Sequence, residues 1–513
     1  MSPTTLTQLV TGTGGGTGVD GLAGDWLTGI SIGATGAATV VGASATGEGE
    51  LGDPLHQADA MAHPTSRGIP IDRGVGGRIM LCSCEQRDLT RHPDASSILC
   101  TVGQPFATFV VAALSVLVLG ASPSSAQTAD DLFASQDLQR VDLFLNSADW
   151  AKLKANFEEN TYYPADLTWN GQTVRNLGIR SRGRGSRSDT KPGLRVDFDR
   201  YATGQTFLGL KSFILDNGTQ DPSGIHEPVA AAFYARLGIP VSREIHTRLY
   251  VNNAYAGVYV IVESVDKDML ARVFGTIGDD TQNDGHLYEY KWNDDWRFTA
   301  LGTSLDPYKL RFEPTTHESE TDEELYRRIE QLVRLTNEAS ATSLPEAIGH
   351  LFDIPAFIRY VAAQNFLADT DGFLGAFGLN NFYLYRLENS EVHTLISWDS
   401  DNTFYSAELS INEGWSGNPL MEKLMSNPDY NALYAAEVSR TAQLAEADDW
   451  LNTEIIRQVQ RVDAAMKEDV AKPFANSTYE GAAGDMLNFA RPRIAFVKCE
   501  LASGAGNTSC RTQ

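Results

Sequence analysis

The sequence predicts an α+β fold, a β-rich stretch followed by a helical one, and three observations carry that expectation. From residue 141 onward, short apolar runs alternate with turn-forming pairs such as Asn170-Gly171 and Asn252-Asn253, the pattern of successive hairpins. From residue 323 onward, apolar residues recur at three- and four-residue spacing, the period of helices packed on one face. Neither pattern reaches into the first 126 residues, which are rich in Gly, Thr and Ala.

The elements follow in order. Residues 141–145 read as a strand, 147–157 as a short helix capped by Ser147, and 165–169 as a strand turning at Asn170-Gly171 into a second strand over 174–182. The basic loop Gly183-Arg184-Gly185-Ser186-Arg187-Ser188 leads through Lys191-Pro192-Gly193 to an alternating strand at 194–198. A Gly- and Arg-rich turn between strands can lay backbone amides and guanidinium groups against phosphates, although a charge run of this kind also suits a solvated turn. A helix over 223–237 stops at Gly238-Ile239-Pro240, and strands at 247–251 and 257–262 flank Asn252-Asn253. Helices are expected over 323–337, 355–366, 419–425, 429–444, 452–468 and 482–501, interrupted by a β element at 382–386 and 392–398.

At 513 residues the chain is too long for one ordinary domain of ~100–200 residues. Residues 1–105 read as low complexity or as a start site placed too early. Residues 106–126 read as a signal peptide: the apolar run 106–119 is shorter than the ~20 residues of a membrane span, fits the ~7–15 of a secretory core, and is followed by Ser124-Ser125-Ala126. The expected remainder is a linker over 127–140, a folded domain over 141–501 and a tail over 502–513. Export, without a stable membrane span after signal removal, follows from this reading. Only Cys499 and Cys510 remain beyond the presequence, either as a disulfide of an exported protein or as two thiols. The formal net charge is −25, with ten acidic and five basic residues in the first 126. Nucleic-acid binding through phosphate neutralisation is therefore not expected.

The stretch 367–404, LADTDGFLGAFGLNNFYLYRLENSEVHTLISWDSDNTF, carries the chemistry. A helix runs into Asp369-Thr370-Asp371-Gly372, Asn380-Asn381 opens a strand, and an apolar strand delivers Asp399 and Asp401. Carboxylates and an amide at the ends of neighbouring elements are what a magnesium–nucleotide site requires, and Asp371, Asn381 and Asp399 follow the base, metal-amide, metal-carboxylate order of phosphoryl-transfer sites. The same residues also suit ordinary turns or a structural calcium site.

Eight segments together resemble the CotH (spore coat protein H-like) kinase family. They are GIRSRGRGSRSDTKPGLRVDF, FLGLKSFILDNGTQDPSGIHEPVAAAFYARLGIP, RLYVNNAYAGVYVIVESVDKDML, GHLYEYKW, NNFYLYR and ISWDSDNTF, then NPLMEKLMSNPDYNALY and LNFARPRIAFV in the helical part. The resemblance implies an atypical protein-kinase-like fold of two lobes, the first β-rich and the second helical, transferring the γ-phosphate of ATP, with Mg2+ or Mn2+, to serine or threonine of a secreted or coat protein. It implies Asp371 as the residue that orients or deprotonates the acceptor hydroxyl, Asn381 and Asp399 as metal ligands, and Asp401 as a further ligand or a turn-former. It further implies Arg182 and Ser186 in the phosphate loop, Lys191 or Arg195 as a nucleotide cation paired with Glu227, and Glu263 at an adenine-side hinge.

The sequence departs from the family pattern in places. The segment between Asp371 and Asn381 is long, so Asn380 competes for the amide role, and Asp369 competes with Asp371. His226 stands where the family often has arginine. Trp398 is expected in core packing. Two other classes remain open: a noncatalytic surface or matrix-binding module of the same fold, and a glycoside hydrolase using Asp371 and Asp399 as its carboxylate pair.

Overall fold

The computed structural model describes residues 127–277 and 280–512. The low-complexity segment and the expected signal peptide lie outside the described residues.

Residues 127–140, expected as a linker, carry helix α1 (Ala129–Phe133) and enter strand β1 (Gln139–Leu145). Leu132 is buried in the same cluster as Val141 and Leu143, so this segment packs on the fold. Helix α2 (Ser147–Ala155) follows, capped by the Asn146 side chain, which accepts from the Ala148 amide, rather than by Ser147. Then come β2 (Tyr163–Trp169), β3 (Gln172–Ser181), β4 (Leu194–Asp197), β5 (Ser212–Asp216), α3 (His226–Leu237), β6 (Glu244–Val251) and β7 (Ala254–Glu263).

These seven strands close into a barrel in the order β1-β2-β3-β4-β5-β7-β6. Neighbours are antiparallel except at the seam, where β1 runs parallel to β6 with Leu143 opposite Val251. Alternate side chains such as Leu167, Leu177, Ile179, Val196 and Ile261 fill the interior, as the period of two requires. The turns Asn170-Gly171 and Asn252-Asn253 all have positive φ, the backbone that two-residue hairpins need. Strand β5 was not expected. Its run Phe213-Ile214-Leu215 is apolar on both faces because Phe213 and Leu215 face the barrel core while Ile214 packs with Val260 and Val262 beneath Trp398, so it shows no alternation.

Helix α4 (Lys267–Phe274) and a two-rung ribbon of β8 (Thr276–Ile277) and β9 (Asp280–Thr281) lead to a second sheet. That sheet has the order β11-β10-β12-β13, from β10 (His286–Tyr290), β11 (Phe312–Pro314), β12 (Phe382–Arg386) and β13 (His393–Ser397). The helical part comprises α5 (Asp306–Lys309), α6 (Asp322–Glu338), α7 (Leu344–Ile348), α8 (Ile354–Phe366), α9 (Pro419–Met425), α10 (Pro428–Glu446), α11 (Trp450–Glu468), α12 (Asn476–Leu487) and α13 (Ala490–Ser503). The single helix expected over 482–501 is two. Helix α12 stops at Leu487, and Phe489 and Ala490 bury at the corner.

The expected tail is tied back to α13 by a disulfide between Cys510 and Cys499. No helix of the described residues is long and apolar enough to cross a membrane.

Candidate functional site

A cavity of about 950 Å3 opens between the barrel and the second sheet. One wall is basic. Arg182 and Ser186 come from the loop after β3, Arg195 from β4, and Arg184, Arg187 and Lys211 extend the same surface. The facing wall is acidic and amidic, formed by Asp371, Asn380, Asn381, Asp399, Asp401 and Asn402. Residues expected on separate segments of sequence thus share one chamber.

The acidic wall has a specific cause. Helix α8 ends in a tight turn in which Ala368 takes a left-handed φ. Asp369 Oδ1 accepts from the Asp371 amide at 2.9 Å and Oδ2 accepts from Gln364 Nε2 at 3.0 Å. The Asp371 carboxylate in turn accepts from the amide nitrogens of Asn380 at 3.3 Å, Asn381 at 3.1 Å and Asn402 at 3.5 Å. Asn380 and Asn381 therefore both reach Asp371, so the choice between them is one the fold does not make. Strand β13 delivers Asp399 in the left-handed region, φ 50°, and Asn381 has φ 54°. Such backbone outliers collect where surrounding structure fixes a side chain's direction.

The carboxylates crowd one another. Burial, followed by Asp216 and Asp371, pushes Asp399 up to about 6, with Arg182 opposing. Burial pushes Asp369 up to about 7. Asp371 rises for the same first reason, with Asn380 and Asn381 pulling it back, and Asp401 is raised well above the usual range by burial and then Asp399. Like charges gathered in this way disfavour their ionised forms until a cation joins them. Hard oxygen donors fit a magnesium- or manganese-class ion.

Two groups at the site went unread in the sequence, one behind the basic wall and one on the acidic wall. Asp216, at the end of β5, pairs with Arg182 at 3.2 Å. The signal that could have found it is the one that found Asp399, an acid at the end of an apolar strand. Burial lowers the Arg182 pKa, but Asp216 and then Asp399 outweigh it and hold the guanidinium charged. Asn402 is the second, and its carbonyl also accepts from the Thr370 amide at 3.2 Å. Trp398 both packs and lines the cavity, edge-on to Tyr383 with centroids 5.4 Å apart and 5.8 Å beneath the Arg182 guanidinium.

Three expected residues lie elsewhere. Lys191 does not line the cavity: its ammonium is buried 2.8 Å from the Asp469 carboxylate. The expected Lys191–Glu227 pair is therefore not formed. Glu227 is buried in the first turn of α3, where burial, then Glu244 and Asp216, raise it well above the usual carboxylate range. Glu263 is buried at the end of β7 between Arg243 at 2.6 Å and Arg272 at 2.5 Å, and it is the next residues, Ser264, Val265 and Asp266, that reach the cavity. His226 places Nδ1 2.7 Å from the Asp401 carbonyl oxygen and Nε2 3.6 Å from Asp221, tying the acidic wall to the start of α3.

The sequence is similar to the inner spore coat protein H of Bacillus subtilis (strain 168), at 23% identity over 341 residues, 64% of this chain and 87% of that protein. Among solved structures, a proinflammatory kinase CtkA of Helicobacter pylori aligns with 57% of this chain and 90% of its own at 12% identity and TM-score 0.23. A HipA–HipB toxin–antitoxin complex of Shewanella oneidensis with its operator DNA aligns with 57% of this chain and 60% of its own at 14% identity and the same TM-score. Scores this low carry no argument about the fold. The family profile described as CotH kinase protein matches residues 179–497, from β3 to α13 and across both walls of the cavity, and the chain belongs to that family.

Proposed function

We propose that this chain is an exported atypical protein kinase that transfers the γ-phosphate of ATP to serine or threonine of a secreted or coat protein. The observation that carries the reading is the pairing of walls in one cavity, cations of the β3–β4 segment facing Asp371, Asn381, Asp399 and Asp401. Polyphosphate bound to a divalent ion needs both signs of charge at once. The family membership supports phosphotransfer, and the likeness to a spore coat protein supports a coat or surface location.

In this reading the fold works as two lobes about the cavity. Arg182 and Arg195 hold phosphate oxygens, with Ser186 beside them, and the segment 264–266 borders the adenine side. Asp399, Asp401 and Asn381 would hold the Mg2+ or Mn2+ ion, which supplies charge neutralisation on the phosphates when bound. Asp371 orients the acceptor hydroxyl and takes its proton. Its asparagine contacts keep the carboxylate aimed, and its raised pKa brings it closer to that of a useful base.

The test incubates the purified protein with labelled ATP and Mg2+ or Mn2+ and scores transfer to itself and to Ser-, Thr- and Tyr-containing peptides, beside Asp399→Ala. Transfer to Ser or Thr that vanishes in the variant supports the proposal. No transfer and no nucleotide-dependent thermal shift would favour a noncatalytic binding module. A glycoside hydrolase is the weaker reading, because the basic wall suits an anionic substrate.

A further inference from the structure

A cluster of side chains able to ligate a metal ion lies beside residues that line the cavity, outside the acidic wall. His286 opens β10, while His317 and Glu320 belong to the loop between β11 and α6. Glu320 places one carboxylate oxygen 2.8 Å from His286 Nε2 and the other 2.9 Å from His317 Nδ1. The ligand atoms all lie within 4.8 Å of one another, and all three residues are partly buried. The two imidazoles stack with centroids 4.3 Å apart and planes within 10°.

The contacts of His317 call for a second ring proton or a metal ion here. His317 Nε2 is 2.6 Å from the Asp284 carbonyl oxygen, which can only accept, so Nε2 carries the ring proton. In the neutral imidazole Nδ1 is then a lone pair, and it faces a Glu320 oxygen that is also an acceptor. Two acceptors at 2.9 Å repel unless a second ring proton or a metal ion lies between them. Three features favour the metal. His286 offers a further nitrogen to the same carboxylate, 2.8 Å from a Glu320 oxygen. The Asp284 carbonyl fixes the His317 tautomer in the way that outer partners orient metal-bound histidines. The donor set of two nitrogens and one oxygen is that of zinc-class sites rather than of magnesium.

We propose that His286 Nε2, His317 Nδ1 and the Glu320 carboxylate form a binding site for one zinc-class divalent ion, separate from the oxygen-rich wall of the cavity. The ion pins the loop 315–320 to β10. Thr315, Thr316 and Glu318 of that loop line the cavity, so the ion shapes its rim. The site does not depend on the phosphotransfer reading.

Calorimetric titration of the metal-stripped full chain with zinc chloride at neutral pH is the test. One saturable equivalent is expected, weakened roughly 100-fold or more in His317→Ala and in Glu320→Gln and retained in Asp399→Ala. Long-range 15N spectra of the wild-type histidines give a readout that needs no variant, with zinc shifting His317 Nδ1 and His286 Nε2. The proposal is overturned by the absence of a saturable equivalent, by one that survives both loop variants or is lost in Asp399→Ala, or by a doubly protonated His317 that zinc leaves unchanged.

Discussion

The ammonium of Lys191 lies 2.8 Å from the Asp469 carboxylate, and these buried side chains join the loop before β4 to the segment after α11. Asp469 also accepts from the backbone amides of Val258 at 3.0 Å and Ala471 at 2.9 Å. The carboxylate approaches Gly257 so closely that a Cβ there would stand 2.5 Å from an oxygen. One buried carboxylate thus gathers β7, the β3–β4 connection and the helical part.

Lys191→Met is accordingly expected to destabilise the protein by about 3–5 kcal/mol, the cost of leaving a buried charge without its counter-ion. Urea unfolding checks it, and a loss below about 1 kcal/mol would mean that the backbone donors alone hold Asp469.

Gly372→Ala bears on the site itself. A Cβ at Gly372 would meet Gln364 Nε2 at 2.0 Å and Asp369 Oδ2 at 2.4 Å, while its carbonyl accepts from the Asn380 amide at 3.1 Å. The substitution should shift the turn that aims Asp371. Expected are a loss of phosphotransfer of about 100-fold or more, as misplacement of a catalytic group gives, and a stability loss of about 1–3 kcal/mol. Full activity with lowered stability would separate Asp371 from the reaction.

Arg182→Ala removes the cation that faces Asp399 across the cavity and leaves Asp216 without that partner. The affinity for magnesium–ATP should fall by about 10–100-fold, equivalent to about 1.4–2.8 kcal/mol. Arg182→Lys should recover part of it, since charge survives but the planar fork does not. Nucleotide-dependent melting curves at several ATP concentrations measure both.

Stability should fall with acid. Burial pushes His246 and His393 down to about 4 from an ordinary 6.5. A histidine depressed in the folded state takes up its proton more readily when unfolded. Its contribution is therefore fully present above pH 6.5 and is lost as the pH falls from there towards 4, about 3 kcal/mol for each ring. The raised carboxylates act in the opposite sense, so the comparison that isolates the effect is between wild type and His246→Asn. The variant should show a shallower decline in urea midpoint between pH 6.5 and 4.5, and identical slopes would remove His246 from the account.

Much of this was legible in the chain. Strand β12 and helix α9 fall on their expected residues, because clear periodicity and strong end signals agree there. Asp371, Asn381 and Asp399 were legible as acids and amides at element ends, where side chains gather toward a common point. Strand β5 was not, since burial on both faces erases alternation. The fate of Lys191 was hidden for another reason: its partner lies 278 positions away, and no local pattern reports so distant a charge. Glu263 illustrates a near miss. The end of β7 does approach the cavity, yet the glutamate turns towards Arg243 and Arg272 and leaves Ser264 and Val265 to line it.

The parallel seam of the barrel also sets an order of events for the growing chain. Strand β1 can find β2 soon after both exist, but its other edge stays unsatisfied until β6 arrives, roughly a hundred residues later. Until then an exposed strand edge invites pairing with other chains. Closure of the barrel therefore coincides with the loss of that open edge, and a chain released with all seven strands already at hand would pass through the hazard more briefly than one that folds as it grows.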